Sequence, residues 1–271
     1  MKKRTVLNIV ITGLFVALMG IMSFLLPNIG FIPLGVVSVS LVHLPVVVGA
    51  IVCGWKEGLI LSLAFGLMSW IRSYMPMGAA DVLFQNPLIA VLPRLMIGFS
   101  ACGCFWIFKK LFETVQRSMT GKSNAFCHTI AYLVGTVMGF ALAVAVYFSL
   151  INIAGMGNIG AVLLACVMGL FVGIALNNTL RDGMPNPNYS AAMFGCAGGA
   201  LGNTVFTLIS FYFFVPAFFE EVLVANGLVE TEVFIKYLLG LAGTNGVLEM
   251  LVFALVGTPV VLALQKAYSK I

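Results

Sequence analysis

The sequence predicts an all-α fold, a polytopic transmembrane helical bundle. Hydrophobic residues make up 61% of the chain, charged residues only 8%, and the mean hydropathy is +1.11, whereas soluble domains carry roughly a quarter charged residues. The apolar residues are gathered into long runs, and a membrane-spanning helix needs roughly 20 of them in succession. The 29 glycines are frequent within these runs, as expected where small residues let helices pack closely. We therefore expect a single membrane domain over residues 1–271.

Apolar segments follow one another along the chain and are separated by turn-forming residues. The breaks contain proline, glycine or charged residues, as at Pro27-Asn28 and between Gly54 and Gly58. Residues 5–112 hold helices one to four, and residues 191–268 hold the last two helices of the core. The number of membrane helices, six or eight, depends on two further segments between them. The segments cover residues 5–26, 33–53, 58–75, 88–112, 127–150, 158–177, 191–215 and 237–265.

The distribution of basic residues predicts the orientation in the membrane. The basic start Met1–Arg4 precedes an apolar run with no small-residue cleavage site before Pro27, so we expect a retained first helix rather than a signal peptide. Placing this start in the cytosol puts most lysines and arginines in cytosolic loops, as the positive-inside rule requires. Both termini are then cytosolic. The formal net charge of +5 reflects this topology, and no nucleic-acid partner is expected.

Polar and charged side chains within the apolar segments are the candidates for a ligand site, because such residues usually face a cavity, a partner or the bundle interior. Asn245 and Glu249 are four residues apart and therefore share a helix face, and Arg94 suits a carboxylate. A direct ion pair between Arg94 and Glu249 is left open. Interhelical hydrogen bonding by the asparagines, and a core role for His43, are alternatives. The predicted substrate-binding residues are His43, Asn86, Arg94, Asn203, Asn245 and Glu249.

No catalytic or metal-binding motif accompanies these residues. The six cysteines lie in or beside apolar stretches without metal-ligand spacing, and we expect them to be reduced. Gly121-Lys122-Ser123 is not a nucleotide-binding loop, because Gln116 stands where that motif has its first glycine. We therefore expect no enzyme, no cofactor and no metal ion. An intramembrane enzyme that uses Glu249 as acid or base, and a stand-alone secondary transporter, are the alternatives; no internal repeat supports the latter.

Several stretches together resemble the S components of energy-coupling factor (ECF) transporters. They occur in the order of that family's second to sixth helices, and they leave residues 113–190 unmatched. We interpret the unmatched part as a cytosolic loop plus an inserted hydrophobic hairpin, added to a six-helix S-component-like core. The matching stretches are Leu41–Ile51, Gly54–Gly58, Phe84–Pro87, Val91–Gly98, Gly202–Val205 and Asn245–Glu249 with Pro259.

The resemblance implies a substrate-binding membrane subunit in the bacterial cytoplasmic membrane, surrounded by lipid, that captures a water-soluble vitamin or similar nutrient from outside. It implies assembly with a transmembrane coupling (T) protein and two cytosolic ATPase subunits that power import. Arg94 favours an acidic vitamin, pantothenate or folate, over riboflavin. Small residues of the first helix match the position of the family's docking motif, with glycine in place of its first alanine. This predicted partner-docking strip is Gly13, Ala17 and Gly20.

Overall fold

The structure, a computed structural model, describes residues 2–34, 37–75, 84–119, 187–214 and 246–269, together with scattered positions between 129 and 174. The described part consists mainly of helices, and the prediction of an all-α polytopic membrane bundle is confirmed. Among the described residues, four helical stretches are long and apolar enough to cross a membrane. They are Arg4–Leu25, Pro87–Ser118, Pro187–Phe214 and Leu248–Tyr268.

The described elements follow the order of the predicted segments. Short π-helical turns, Ile21–Leu25 and Phe253–Gly257, continue the first helix and interrupt the last one. The helices are α1 (Lys2–Gly20), α2 (Pro27–Gly30), α3 (Leu44–Cys53), α4 (Trp55–Arg72), α5 (Pro87–Ala90), α6 (Leu92–Met119), α7 (Pro187–Phe214), α8 (Val247–Val252) and α9 (Thr258–Tyr268).

The prediction of a helix over residues 33–53 is wrong in its first half. There the chain forms an antiparallel hairpin of β1 (Phe31–Leu34) and β2 (Val37–Ser40), in which Phe31 pairs with Ser40. Valine and serine alternate along β2, a period-two pattern that suits a strand. The helix begins at Leu44, with Pro45 in its first turn, where the missing proline N–H costs nothing.

Glycines set how closely the central helices approach one another. A Cβ added at Gly98 of α6 would lie 2.7 Å from the carbonyl oxygen of Gly58 in α4. The Gly98 N–H also donates to the Ser62 hydroxyl at 3.0 Å. On α7, a Cβ at Gly199 would lie 2.6 Å from the Val47 side chain of α3. Small residues thus place α3, α4, α6 and α7 around one core.

The stretch between α6 and α7 is described at scattered positions, and each of these is helical. A Cβ added at Gly139 would lie 3.2 Å from the Cα atom of Gly173, and Ala165 is only 2% exposed. Large side chains such as Phe140 and Leu170 are exposed instead. In the described positions, small residues therefore mediate the helix contact, and bulky apolar residues face outward.

Candidate functional site

The carboxylate of Glu249, near the start of α8, is the centre of a buried polar cluster. Glu249 is 5% exposed. The backbone N–H of Ser40, the last residue of β2, donates to its Oε1 atom at 2.9 Å. Its Oε2 atom lies 3.8 Å from Nε2 of His43, and the side chain of Asn203 lies close enough to interact with the same carboxylate. The cluster therefore joins the hairpin, the start of α3, α7 and α8.

Local packing explains why Glu249 reaches α7. A Cβ added at Gly246, which immediately precedes α8, would lie 2.7 Å from the Thr204 side chain. Only glycine permits this approach of the two helices. Because Asn203 and Thr204 are adjacent on α7, the same contact brings the turn of α7 that carries Asn203 close to the start of α8.

His43 is fully buried among aromatic rings at the start of α3. Its ring centroid lies 4.3 Å from that of Phe253 and 5.7 Å from that of Phe65. Neither ring nitrogen has a hydrogen-bond partner in the described part of the chain. The imidazole is thus held in place by packing, while both of its polar atoms remain available to hydrogen-bond.

Arg94, in the first turn of α6, is 7% exposed and fixed from several sides. Its Nη1 atom donates to the carbonyl of Ile89 at 3.2 Å and to the Thr207 hydroxyl at 3.4 Å. The guanidinium carbon lies 4.4 Å from the ring centroid of Phe84, a cation–π distance. Arg94 also interacts electrostatically with Glu249, although the hydrogen bonds described for each side chain go to other groups.

Several buried polar atoms of this region have no hydrogen-bond partner among the described residues. Buried polar groups are normally paired, so each such atom calls for a physical explanation. Together they offer donors and acceptors in a cluster that also contains a cationic and an anionic group, which suits a small polar ligand. They are Ser40 Oγ, His43 Nδ1 and Nε2, Arg94 Nε and Asn203 Oδ1.

The structure thus brings together four of the predicted site residues, namely His43, Arg94, Asn203 and Glu249. Asn86 is exposed, and its side chain caps α5 by accepting the N–H of Leu88 at 3.0 Å. Asn245 lies outside the described residues.

Sequence reasoning missed several neighbours of the cluster, namely Ser40, Phe65, Phe84, Thr207 and Phe253. Phe84 had a usable signal, because it begins one of the family-like stretches. Ser40 contributes a backbone N–H, a group that no sequence pattern distinguishes. Phe65, Thr207 and Phe253 are brought next to the cluster by tertiary folding, which no local sequence pattern indicates.

The predicted docking strip on α1 is partly free of contacts with the described residues. Gly13 and Ala17 are exposed, and a Cβ at Gly13 would meet none of the described residues within 4 Å. Gly20 instead faces α4, where its Cβ would lie 3.8 Å from Met68.

The described residues contain no group of three histidine, cysteine, aspartate or glutamate side chains that could hold a metal ion. Cys127 lies outside the described part of the chain. The cysteines within it are free thiols, namely Cys53, Cys102, Cys104, Cys166 and Cys196.

Two curated proteins are similar to this chain. The pantothenate transporter PanT of Leuconostoc mesenteroides subsp. mesenteroides is 30% identical over 143 residues, which cover 49% of this chain and 70% of that protein. The pantothenic acid transporter PanT of Lactococcus lactis subsp. cremoris is 24% identical over 157 residues, which cover 52% of this chain and 77% of that protein. No protein-family model matches the sequence.

Proposed function

This chain belongs to the pantothenate transporter PanT family, and from that premise we propose that it binds pantothenate for uptake across the membrane. The buried cluster around Glu249 and Arg94 is the proposed binding site. The observation that carries the proposal is a buried pair of opposite charges, Arg94 and Glu249, in a cluster whose polar atoms include several without a hydrogen-bond partner among the described residues. Pantothenate has one carboxylate, one amide and two hydroxyl groups, so it can use a cation, an anion and neutral hydrogen-bonding groups at once.

In the proposed mode, Arg94 binds the carboxylate of the vitamin. Its guanidinium is held by Ile89, Thr207 and Phe84, so little side-chain freedom is lost when the ligand binds. Glu249 and Asn203 Oδ1 accept hydrogen bonds from the hydroxyl groups. Folate and riboflavin, which are larger and carry fused rings, are less favoured, because the two curated relatives are named for pantothenate.

Pantothenol tests this mode, because it carries a hydroxymethyl group where pantothenate has its carboxylate. Charge-assisted hydrogen bonds contribute about 1.5–3 kcal/mol, so we expect the purified protein to bind pantothenate roughly 10- to 100-fold more tightly than pantothenol. Arg94→Gln should reduce this ratio to near one. Isothermal titration calorimetry with both ligands measures it.

Arg72→Gln is the matched control, because it removes the same charge from α4, where Arg72 lies over the ring of Phe31 rather than in the cluster. It should keep the preference for pantothenate. A folded wild-type protein that binds neither ligand would overturn the proposed substrate. An unchanged ratio in Arg94→Gln would show that the carboxylate is bound elsewhere.

We further propose that the chain works as an ECF S component, with a T protein and two cytosolic ATPase subunits. The support is the sequence resemblance together with the exposed small residues Gly13 and Ala17 on α1. Gly13→Leu should fold and bind pantothenate normally, because its side chain meets nothing within the described chain. It should abolish co-purification with the coupling protein. Normal assembly of this variant would refute docking through α1.

A stand-alone secondary transporter is the alternative. It predicts that the chain alone, reconstituted in liposomes, accumulates pantothenate when an ion gradient is imposed. The proposed binding subunit should instead bind the vitamin tightly and show uptake only with its ATPase partners. An intramembrane enzyme using Glu249 has less support, since both relatives are named transporters; it predicts covalent change of the bound ligand.

A further inference from the structure

An apolar groove lies at the far end of the bundle from the Glu249 cluster. Between the two ends, α3 runs ten residues from Leu44 to Cys53, which is about 15 Å of helix. The groove has a volume of about 630 Å³, and its walls include Trp55, Phe99, Gly103 and Trp106. It is therefore separate from the proposed vitamin site.

A lysine side chain lies close to each of three aromatic rings in the groove wall. The Nζ atom of Lys110 lies 3.9 Å from the ring centroid of Trp106. Lys56 lies 5.9 Å from the ring of Trp55, and Lys109 lies 5.9 Å from that of Phe105. These are cation–π distances, and they place three positive charges around one apolar surface. We call Lys56, Lys109 and Lys110 the basic rim.

Among the described residues, two carboxylates lie near the basic rim in sequence. Glu57, which follows Lys56, already accepts a hydrogen bond from Asn8 at 2.7 Å. Glu113 lies one helical turn beyond Lys109 on α6. Both carboxylates keep their negative charge, but the three lysines outnumber them, so the rim is net positive and favours an anionic partner.

The groove itself is shaped to accept an apolar chain. Gly54 adopts φ 110°, which ends α3 and starts α4 with Trp55 exposed. A Cβ at Gly103 would meet none of the described residues within 4 Å, so the groove is open beside Gly103. The groove lies along the membrane-spanning stretch Pro87–Ser118, where the surrounding solvent is lipid.

We propose that this groove binds an anionic phospholipid, with an acyl chain against Gly103 and Phe99 and the phosphate among the lysines of the basic rim. An apolar groove that ends in a basic rim matches the two parts of such a molecule. Basic clusters at the end of a membrane helix attract anionic headgroups, and tryptophans favour the same interfacial level. This inference is independent of which vitamin the chain binds.

Native mass spectrometry with defined lipids is the first test. We expect the wild-type protein to retain one phosphatidylglycerol molecule at least tenfold more often than phosphatidylethanolamine. The triple variant Lys56→Gln, Lys109→Gln, Lys110→Gln should lose that preference. Arg117→Gln with Lys266→Gln is the control, because both residues are exposed and outside the groove wall, and it should keep the preference.

Gly103→Phe tests the groove separately, because the added ring occupies space in the groove while every lysine of the basic rim stays in place. With Trp70→Phe as background, Trp55 and Trp106 are the remaining tryptophans of the three in the chain. Brominated phosphatidylglycerol should quench their fluorescence more than brominated phosphatidylethanolamine, and Gly103→Phe should remove the difference.

Loss of the phosphatidylglycerol preference in both the lysine and the Gly103 variants would support the proposal. Equal retention of the two lipids by the wild-type protein would overturn it. Loss in the lysine variant alone would also overturn it, because it would indicate attraction to a charged surface without an acyl-chain site.

Discussion

The two ends of the bundle each contain a cluster of polar side chains, and the clusters differ in how well their groups are paired. At the end with Glu249, buried atoms of His43, Arg94 and Asn203 have no hydrogen-bond partner within the described chain. At the other end, Asn8 donates to Glu57 at 2.7 Å and to the Cys53 carbonyl at 3.3 Å. The Tyr268 hydroxyl donates to Asn8 at 2.9 Å. We call this second group the Asn8 cluster.

The difference indicates two roles. The Asn8 cluster joins the start of α1, the α3–α4 turn and the end of α9, and its hydrogen bonds stabilise the fold. Within the described residues, the Glu249 cluster leaves buried polar groups unpaired, which costs folding free energy and is consistent with the proposed ligand site, where a ligand would pair with them. The same substitution should therefore lower ligand affinity at one end and stability at the other.

Glu249→Gln should have the largest effect and should act on binding. It removes the negative charge but keeps the shape of the side chain, so we expect about a 10- to 100-fold weaker affinity for pantothenate. The melting temperature of the ligand-free protein should change little, because the desolvation cost of the buried carboxylate is removed together with its attraction to Arg94. Calorimetric titration and thermal unfolding measure the two quantities.

Glu57→Gln makes the identical change at the other end and is the matched control. It replaces the carboxylate that accepts from Asn8 with a neutral amide. Its melting temperature should fall, and its affinity for pantothenate should stay within threefold of wild type. If both variants changed the same quantity, the division of roles between the two clusters would be wrong.

Asn8→Ala should have the second-largest effect, on stability. It removes the two hydrogen bonds that Asn8 donates to the Cys53 carbonyl and to Glu57. It also removes the oxygen that accepts a hydrogen bond from the Tyr268 hydroxyl. Leaving such groups unpaired costs about 1–3 kcal/mol, which denaturant unfolding in detergent can detect. Asn203→Ala is the matched change in the Glu249 cluster, and it should weaken pantothenate binding with little loss of stability. An unchanged unfolding free energy in Asn8→Ala would contradict a stabilising role.

The fold class could be predicted from the composition and from the length of the apolar segments. Both are set by the lipid bilayer, which requires apolar helices long enough to cross it. The β hairpin does not, because a short apolar run of β-branched residues such as Val37–Ser40 fits a strand or a buried helix equally well. The hairpin nevertheless matters for the site, because the N–H of Ser40 hydrogen-bonds to Glu249.

The members of the candidate site could be predicted in part because polar groups at membrane depth are rare. His43, Arg94, Asn203 and Glu249 stand out from their apolar neighbours, and the structure places them together. The Asn8 cluster was not predicted, although it joins residues as far apart as Asn8 and Tyr268. Asn8 lies in the second turn of α1 and Tyr268 is the last residue of α9, and polar residues are common near the ends of membrane helices, so no local pattern marks the two as partners.

Tyr268→Phe should have a smaller effect than Asn8→Ala, because it removes only the hydroxyl group. That hydroxyl donates to Asn8 and lies 3.2 Å from the Cys53 sulfur. A single hydrogen bond contributes about 0.5–1.5 kcal/mol, and the ring is retained. Combined with Asn8→Ala, the change should add little, because both substitutions break the same bond. Fully additive losses in the double variant would show that the two residues stabilise the protein independently.

Asn86→Ala should have the smallest effect on stability. It tests whether Asn86, which the sequence predicts to bind the ligand, contacts the ligand or only caps a helix. The structure shows Asn86 exposed and capping α5, which has only four residues. Loss of such a cap costs about 0.5 kcal/mol at the low end of the usual range. Asn86→Asp keeps the capping oxygen and should restore stability. If Asn86 acts only as a cap, both variants should bind pantothenate like the wild type. A tenfold loss of affinity in Asn86→Ala would instead place Asn86 in contact with the ligand. The binding site would then extend to the start of α5.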